Sequence, residues 1–140
     1  MEKVVYAQVS TETLVATHFE NLVADQASGA TVLFTGDVRN HDGDKQVTSL
    51  SYEAHPTAQD VLSKVAKQVA DNYEINKVAL AHRYGDIPIG ECAFVVAVSA
   101  AHREPAFAAC QQIVDEVKKQ IPIWKHQVFK DGTDEWVNFA

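Results

Sequence analysis

Residues 117–126 read VKKQIPIWKH and join the basic end of an amphipathic helix, through a proline, to a strand-like segment. Pro122 cannot continue a helix, and it pushes the residue before it towards extended geometry, so the chain is predicted to turn here. Lys118 and Lys125 then lie on two different elements, and their ammonium groups can converge from the two sides of one bend. Because two cations repel each other unless an anion binds between them, this bend is predicted to form the floor of a site for an anion.

The length and composition exclude several classes of protein. A chain of 140 residues, with 46% hydrophobic and 22% charged residues, is expected to form one domain (residues 1–140) with its own core. No apolar run approaches the roughly 20 residues of a membrane helix. The first residues lack the pattern of a secretory signal, so a cytoplasmic location is expected. The formal net charge of -7 argues against nonspecific binding to nucleic acid, which depends on clustered Lys and Arg.

Local charge differs from this net charge. Basic residues and histidines occur together in three short segments: around Arg39 and His41, at His102 and Arg103, and within residues 118–126. An acidic body with one focused basic pocket suits a small anionic ligand or the carboxylate end of a partner.

Generic catalytic and metal-binding motifs are absent from the sequence. There is no GxxxxGKS/T loop, GxGxxG turn, HExxH helix or GxSxG elbow. Cys92 and Cys110 lie in apolar runs without CxxC spacing and are expected to be reduced core residues, so neither a metal nor a cofactor is predicted. Taken alone, His82 and His126 on alternating strands favour structural roles.

Seven segments have the compact or alternating apolar patterns of strands. They are residues 3–9, 30–35, 47–53, 76–84, 92–100, 123–129 and 135–139. Residues 92–100 (CAFVVAVSA) are nearly all apolar, which predicts a central strand covered on both faces. Residues 36–45 and 85–91 are rich in turn formers and are predicted to be loops.

Three segments follow the helical period. The first is capped at residues 10–11 and ends near residues 27–29, the second is capped by Thr57, and the third has Pro105 in its first turn and carries Lys118 near its end. Hairpin-like strand pairs without regular strand–helix alternation predict an α+β domain with a largely antiparallel sheet, about seven strands and three helices. A Rossmann-type sheet is disfavoured.

Each basic segment also has a purely structural interpretation. Lys118 and Lys119 at the end of a helix could complement its dipole, an effect worth about 0.3–1 kcal/mol. Arg39 could be a solvated loop charge, and so could His102 and Arg103. The functional interpretation is favoured when the segments are taken together.

Taken in order, three segments resemble the signatures of the molybdopterin synthase large subunit. They are residues 34–41 (FTGDVRNH), residues 99–107 (SAAHREPAF), and Lys118 with residues 122–125 (PIWK). The likeness extends over residues 29–137. It implies an α/β hammerhead-like fold and an enzyme that makes the dithiolene of molybdopterin from cyclic pyranopterin monophosphate. The sulfur donor implied by the resemblance is the thiocarboxylated C-terminus of a small ubiquitin-like subunit that ends in Gly-Gly.

The resemblance also implies an assembly. The large subunit of this family forms a homodimer, and one small subunit on each outer end completes a heterotetramer. The alternative hypothesis is a non-catalytic homodimeric binding module for a phosphorylated metabolite, which keeps the anion pocket but does not transfer sulfur.

The matching motifs further imply site residues. Lys118 and Lys125 are expected to be catalytic. The positions expected to bind substrate are Phe34, Asp37, Val38, Arg39, His102, Arg103, Lys118, Lys125, His126 and Gln127. Lys118 could act as a general acid or base, as a nucleophile, or by stabilising charge on the thiocarboxylate carbonyl, and the sequence leaves these roles open.

Two features depart from the family pattern. Asp37 stands where relatives carry a basic residue. The chain stops at Ala140, where relatives extend and often place an arginine just beyond the Trp-Val pair at residues 136–137, so a contribution of that tail to a neighbouring site is not carried over.

Overall fold

Two β-sheets and three helices form residues 2–138, the part of the chain that the computed structural model describes. The helices are α1 (Ala16–Leu22), α2 (Ala58–Ala70) and α3 (Arg103–Gln120). The strands are β1 (Val4–Ser10), β2 (Ala30–Asp37), β3 (His41–Asp42), β4 (Lys45–Ala54), β5 (Lys77–Arg83), β6 (Gly85–Asp86), β7 (Cys92–Ala100), β8 (Ile123–Phe129) and β9 (Asp134–Asn138). Phe139, predicted to end the last strand, lies outside the described residues. Within residues 2–138, no helix has both the length and the apolar character needed to cross a bilayer.

The nine strands of the described residues are divided between two sheets. The first sheet has the order β1-β5-β7-β2, and the second has the order β3-β4-β8-β9 with β6 paired to β4. Strands β1 and β5 are parallel, and the other pairs are antiparallel. The largely antiparallel α+β domain predicted from the sequence is therefore confirmed.

Two of the nine strands in the described residues lie where loops were predicted. Strand β3 folds back onto β4, and strand β6 pairs Gly85 with Tyr52 and Asp86 with Ser51. Gly85 has a φ of 90°, a conformation that side chains with a Cβ rarely adopt, so the chain can bend sharply between β5 and β6. Neither strand has a sequence signature, because two residues are too few to show a period.

The first two helices begin differently from the prediction. Ser10 remains in β1, where its carbonyl accepts a hydrogen bond from the N–H of Tyr84 at 3.0 Å. Helix α1 therefore begins only after Val15, without a side-chain cap. Thr57 does occupy the cap position of α2, but its hydroxyl pairs with Nδ1 of His55 at 2.9 Å and not with a helical N–H.

Helix α1 also ends earlier than the predicted residues 27–29. It stops at Leu22. The carboxylate of Asp25 then accepts a hydrogen bond from the N–H of Ala27 at 2.7 Å, which closes a turn that competes with a further helical turn.

Strand β7 separates two clusters of core residues. Residues 93–100 are all buried, and alternate side chains face a large cluster beneath α2 and α3 and a smaller one closed by Phe19 and Val23. The central strand predicted from the apolar run is confirmed. Strand β5 is also buried on both faces, since Ala79 and Ala81 complete the smaller cluster.

The two cysteines are free thiols in the core region. Cys110 is buried and Cys92 is partly buried. Burial raises the pKa of each thiol to about 11. Both thiols are therefore protonated at neutral pH and poorly nucleophilic, in agreement with the predicted structural role.

The direction of α3 decides which residues meet at each end of the first sheet. Helix α3 follows β7 directly and packs back over it, so the C-terminal end of α3 lies near the beginning of β7. The antiparallel register pairs Gly36 with Phe94, which places the end of β2 there too. The N-terminal end of α3 lies at the opposite end of the sheet, where Ala30 pairs with Ala100.

The open edge of β1 is partly satisfied by one side chain of α2. Gln59 accepts a hydrogen bond from the N–H of Val9 through Oε1 at 2.7 Å and donates from Nε2 to the carbonyl of Ala7 at 2.9 Å. The amide thus takes the place of a neighbouring strand over two residues, which reduces the tendency of this edge to pair with another chain.

Replacing Gln59 tests this edge contact. Gln59→Ala should lower the free energy of unfolding by about 1–2 kcal/mol, because it leaves two partly buried backbone groups without protein partners. Urea denaturation followed by circular dichroism measures the change. Gln68→Ala, on the exposed side of the same helix, is the control and should change stability by less than about 0.5 kcal/mol. Equal losses in the two variants would contradict a specific role for Gln59.

Candidate active site

Helix α3 and strand β8 are joined by the turn predicted at Pro122. Helix α3 ends before Ile121, which is extended (φ -70°, ψ 127°) while its N–H still bonds to the carbonyl of Val117 at 2.8 Å. Strand β8 begins directly after the proline. Lys118 therefore lies in the last turn of the helix and Lys125 lies in the strand.

Burial and four nearby charged side chains act on the pKa of Lys125. It is half-buried, and this burial lowers the pKa of Lys125 from its ordinary value. The carboxylates of Asp42 and Glu135 oppose the shift, whereas the positive charges of Arg39 and Lys118 lower the pKa of Lys125 further. Such effects weaken with distance, so Arg39 and Lys118 both lie near Lys125.

Two carboxylates held by Gln127 border this cationic group. The buried Gln127 donates from Nε2 to Oδ2 of Asp42 at 2.7 Å and to Oε1 of Glu135 at 2.8 Å. The bond from Gln127 lowers the pKa of Asp42, so that carboxylate stays ionised. Nη2 of Arg39 lies 3.9 Å from Oδ1 of Asp42. Gln127, predicted to bind substrate, therefore uses its amide donor on the carboxylates of the site.

Sequence reasoning missed both carboxylates. Glu135 reaches the site because it pairs with Gln127 across β8 and β9, and Asp42 reaches it from β3. These pairings join residues far apart in the chain. Only the period of two along β9, applied after the hairpin was known, could have indicated Glu135.

His126 lies on the other face of β8. Successive strand residues point to opposite faces, so His126 faces away from Lys125 and Gln127. Its ring stacks on Trp136 with centroids 4.4 Å apart, and its Nε2 lies 2.8 Å from Oδ2 of Asp134. The structure does not bring His126 into the cationic group, although the sequence predicted that it binds substrate.

Three further predicted residues precede Arg39 in the chain, at the end of β2 and in the loop after it. Phe34 is partly buried against Phe94, with ring centroids 5.8 Å apart. Asp37 is exposed at the end of β2. Val38 is only 4% exposed and donates its N–H to the carbonyl of Glu91 at 3.0 Å, so its side chain supports the loop from within the core.

His102 and Arg103 lie at the opposite end of α3. Both are exposed, and with Glu104 and Pro105 they line a separate cavity of about 400 Å³. The helical rise places Arg103 about 22 Å from Lys118 along the axis. Within one chain the structure therefore does not bring these two residues to the other predicted cations.

An aromatic group lies behind the cationic group. His82 is fully buried, stacks on Phe94 at 5.2 Å and meets the edge of Tyr52 at 5.3 Å. Burial lowers the pKa of His82 to about 4, and the nearby charge of Lys118 acts in the same direction. Burial also raises the pKa of Tyr52 to about 12. Both rings are therefore neutral at physiological pH.

The described residues form an α+β domain in which Arg39 and Lys118 lie near Lys125, beside the turn between α3 and β8. Residues 9–120 match the family model described as MoaE protein. The chain belongs to the MoaE protein family.

Similar proteins agree with this assignment. The molybdopterin synthase catalytic subunit of Aspergillus niger is 43% identical over 115 residues, which cover 81% of this chain and 64% of that relative. This chain thus spans less than two thirds of the length of that relative. The crystal structure of molybdopterin synthase from Staphylococcus aureus superposes with a TM-score of 0.85 at 27% identity, covering 93% of this chain and 95% of that one. A chain from the complex of subunits 1 and 2 of molybdopterin-converting factor from Helicobacter pylori shares the fold, with a TM-score of 0.72, 19% identity, and coverage of 94% of this chain and 88% of that one.

Titration of Lys125 tests the charge arrangement. Arg39→Ala should raise the pKa of Lys125, because it removes a repelling cation, and Asp42→Asn should lower it further, because it removes an attracting carboxylate. NMR titration of protein labelled at the lysine Cε carbon measures both directions. Lys67→Ala removes an exposed cation from α2 and is the control, which should leave Lys125 unchanged. A fall in the pKa of Lys125 in Arg39→Ala would contradict the arrangement.

Proposed function

We propose that this chain is the catalytic subunit of a molybdopterin synthase. It transfers sulfur from the thiocarboxylated C-terminus of a small subunit to cyclic pyranopterin monophosphate and so forms the dithiolene of molybdopterin. The observation that carries the proposal is that Arg39 and Lys118 lie near Lys125, beside the Pro122 turn, in an acidic chain of the MoaE family. A cytoplasmic location and a single domain remain parts of this proposal.

The chemistry of the two reactants fits the cations. The substrate phosphate and the thiocarboxylate tail are both anions, and Arg39 offers a planar pair of donors for a phosphate or carboxylate group. Sulfur transfer needs a new carbon–sulfur bond to the pterin, which displaces an oxygen substituent from the reacting carbon. Water then cleaves the acyl carbon–sulfur bond, which leaves a carboxylate on the tail and the sulfur on the pterin. Negative charge develops on the acyl oxygen during that cleavage, and a nearby ammonium group stabilises it.

The two lysines differ in their surroundings. Lys118 is exposed at the helix end, whereas Lys125 is half-buried. A lysine whose pKa is lowered, as that of Lys125 is, releases its proton more readily, which suits a role in proton transfer. Lys118, on its flexible stem, suits contact with the incoming tail.

A solved structure with the fold of this chain supports the proposal of a small-subunit partner. The Helicobacter pylori chain of the same fold belongs to a protein–protein complex of two subunits. The proposed partner here is a small ubiquitin-like protein that ends in Gly-Gly thiocarboxylate, because the negative charge of such a tail suits the lysines beside the turn.

Reconstitution with this partner and the pterin precursor tests the function and the role of Lys118. Lys118→Ala should lower dithiolene formation by about 10²–10³-fold, because one stabilising cation is lost, while small-subunit binding is retained. Lys119→Ala is the control and should keep the parent rate, since Lys119 points about 100° away around the helix and pairs with Glu116 at 3.7 Å.

Lys118→Arg separates the possible roles of the amine. A charge role predicts substantial activity in this variant, whereas a proton-transfer or nucleophilic role predicts almost none, because arginine does not deprotonate. An inactive Lys119→Ala beside a fully active Lys118→Ala would show that the wrong lysine was assigned. Tight binding of the pterin without any dithiolene in the parent protein would favour the binding-module hypothesis.

The position of His102 and Arg103 supports a homodimer. These two residues can join the lysines only if a second copy supplies them, because one copy holds them at the far end of α3. The neighbouring surface is apolar: Phe107 is 60% exposed and, with Phe34 and Val114, lines a cavity of about 390 Å³ beside the edge strand β2. We infer that this face binds a second copy, with a small subunit on each outer end in a heterotetramer.

Mixed dimers test whether the site is shared. Lys118→Ala and Arg103→Ala should each be strongly impaired alone. After the two variants are denatured and refolded together, about a quarter of the parent activity should return, because each mixed dimer then has one intact site.

A mixture of Lys118→Ala with Lys125→Ala is the matched control. It should recover nothing, since both lysines of a site come from one chain. Light scattering verifies that each mixture is dimeric. Dimers of Lys118→Ala and Arg103→Ala without recovery, or a stable monomer at micromolar concentration, would contradict the shared site.

A further inference from the structure

His82 carries a buried acceptor that the rest of the described chain does not use. Its Nδ1 lies 2.8 Å from the carbonyl oxygen of Arg83, and because a carbonyl only accepts, the ring hydrogen belongs on Nδ1. The other nitrogen, Nε2, then has a free lone pair. Within residues 2–138 this nitrogen is fully buried and has no hydrogen-bond partner.

The aromatic neighbours of the ring do not account for the nitrogen Nε2. Phe94 stacks on one side and the edge of Tyr52 closes another, which are contacts that a phenyl ring would make equally well. An unpaired buried nitrogen is destabilising, and the structural role of the ring rests on Nδ1, the donor to the carbonyl of Arg83, and not on Nε2. The polar atom is therefore better explained by a function than by packing.

Lys118 of the cationic group lies near this ring, since its charge contributes to the lowered pKa of His82. Tyr52 is paired with Lys125 across β4 and β8. Val114 and Val117 on α3 belong to the same core cluster as Tyr52 and Phe94, and Lys118 follows them at the helix end. Lys118 is exposed, so its long stem is free to fold inward over this cluster.

We propose that His82 is a positioning residue for Lys118. When an anion enters the site, the Lys118 ammonium donates a hydrogen bond to Nε2 of His82, which fixes the direction of the amine. This inference rests on the proposed function for its catalytic consequence. Burial lowers the pKa of His82 to about 4, so the ring is neutral and remains an acceptor at physiological pH.

The kinetic consequence follows from restricting a flexible side chain. A lysine has many rotamers, and an acceptor behind it selects the one that meets the reacting group. Loss of the acceptor should therefore reduce kcat more than it changes KM, because substrate anions still meet Arg39 and Lys125.

His82→Phe is the decisive variant. Its melting temperature should stay close to that of the parent, because it removes the unpaired Nε2 together with the bond from Nδ1 to Arg83, and it should lower kcat for dithiolene formation by about 10–100-fold with KM within about twofold. His82→Gln, whose amide oxygen can accept at a similar reach, should recover part of kcat. Tyr52→Phe removes a polar atom from the same aromatic group and is the matched control, with the parent kcat expected.

A spectroscopic measurement tests the contact without relying on activity. In protein labelled with ¹⁵N histidine and saturated with inorganic phosphate as the anion, Lys118→Met should shift the Nε2 resonance of His82, and Lys119→Met should not. The same measurement remains informative if His82→Phe fails to fold, since it uses the natural histidine.

The outcomes separate this inference from the proposed function. Parent kcat in a folded His82→Phe, or an Nε2 resonance unaffected by Lys118→Met, would overturn the positioning role. A parent protein that forms no dithiolene while Lys118→Met still shifts the resonance would contradict the proposed function and leave the His82–Lys118 contact intact.

Discussion

The burial of β7 on both faces is the constraint on which the site depends. The chain that leaves β7 at Ala100 has to return over the same strand to cover it, and α3 makes that return. The helix carries Lys118 to the end of the sheet where β2 and β5 finish. The Pro122 turn then sends β8 into the second sheet, so Lys125 arrives beside Lys118 from a different element.

Opposing effects act on the charge of Lys125 within the cationic group. Burial and two cationic neighbours destabilise the charged form of Lys125, and the carboxylates of Asp42 and Glu135 offset part of this effect. Because one amide of Gln127 holds both carboxylates, they are restrained from moving to neutralise the lysines. Positive charge therefore remains available to an entering anion, in a protein whose net charge is -7.

The composition of the site was easier to predict than its geometry. The proline at position 122 placed Lys118 and Lys125 on two elements because its effect is local. The period of two along β8 also places His126 and Lys125 on opposite faces, and this signal is present in the sequence. The contact of Asp42 with Gln127 had no signal in the sequence, because it depends on how β3 lies relative to β8 and β9.

The sequence by itself determined the fold class, the covered central strand, the helix end at Pro122 and the identity of the basic residues, because each depends on local steric rules or on apolar periodicity. Tertiary structure alone decided which cations meet. Arg39 lies near the lysines because β2 and α3 both finish at the same end of the first sheet. Arg103 lies at the other end of that sheet, because α3 is 18 residues long. Such distances are set by the packing of elements far apart in the chain, and no single segment contains that information.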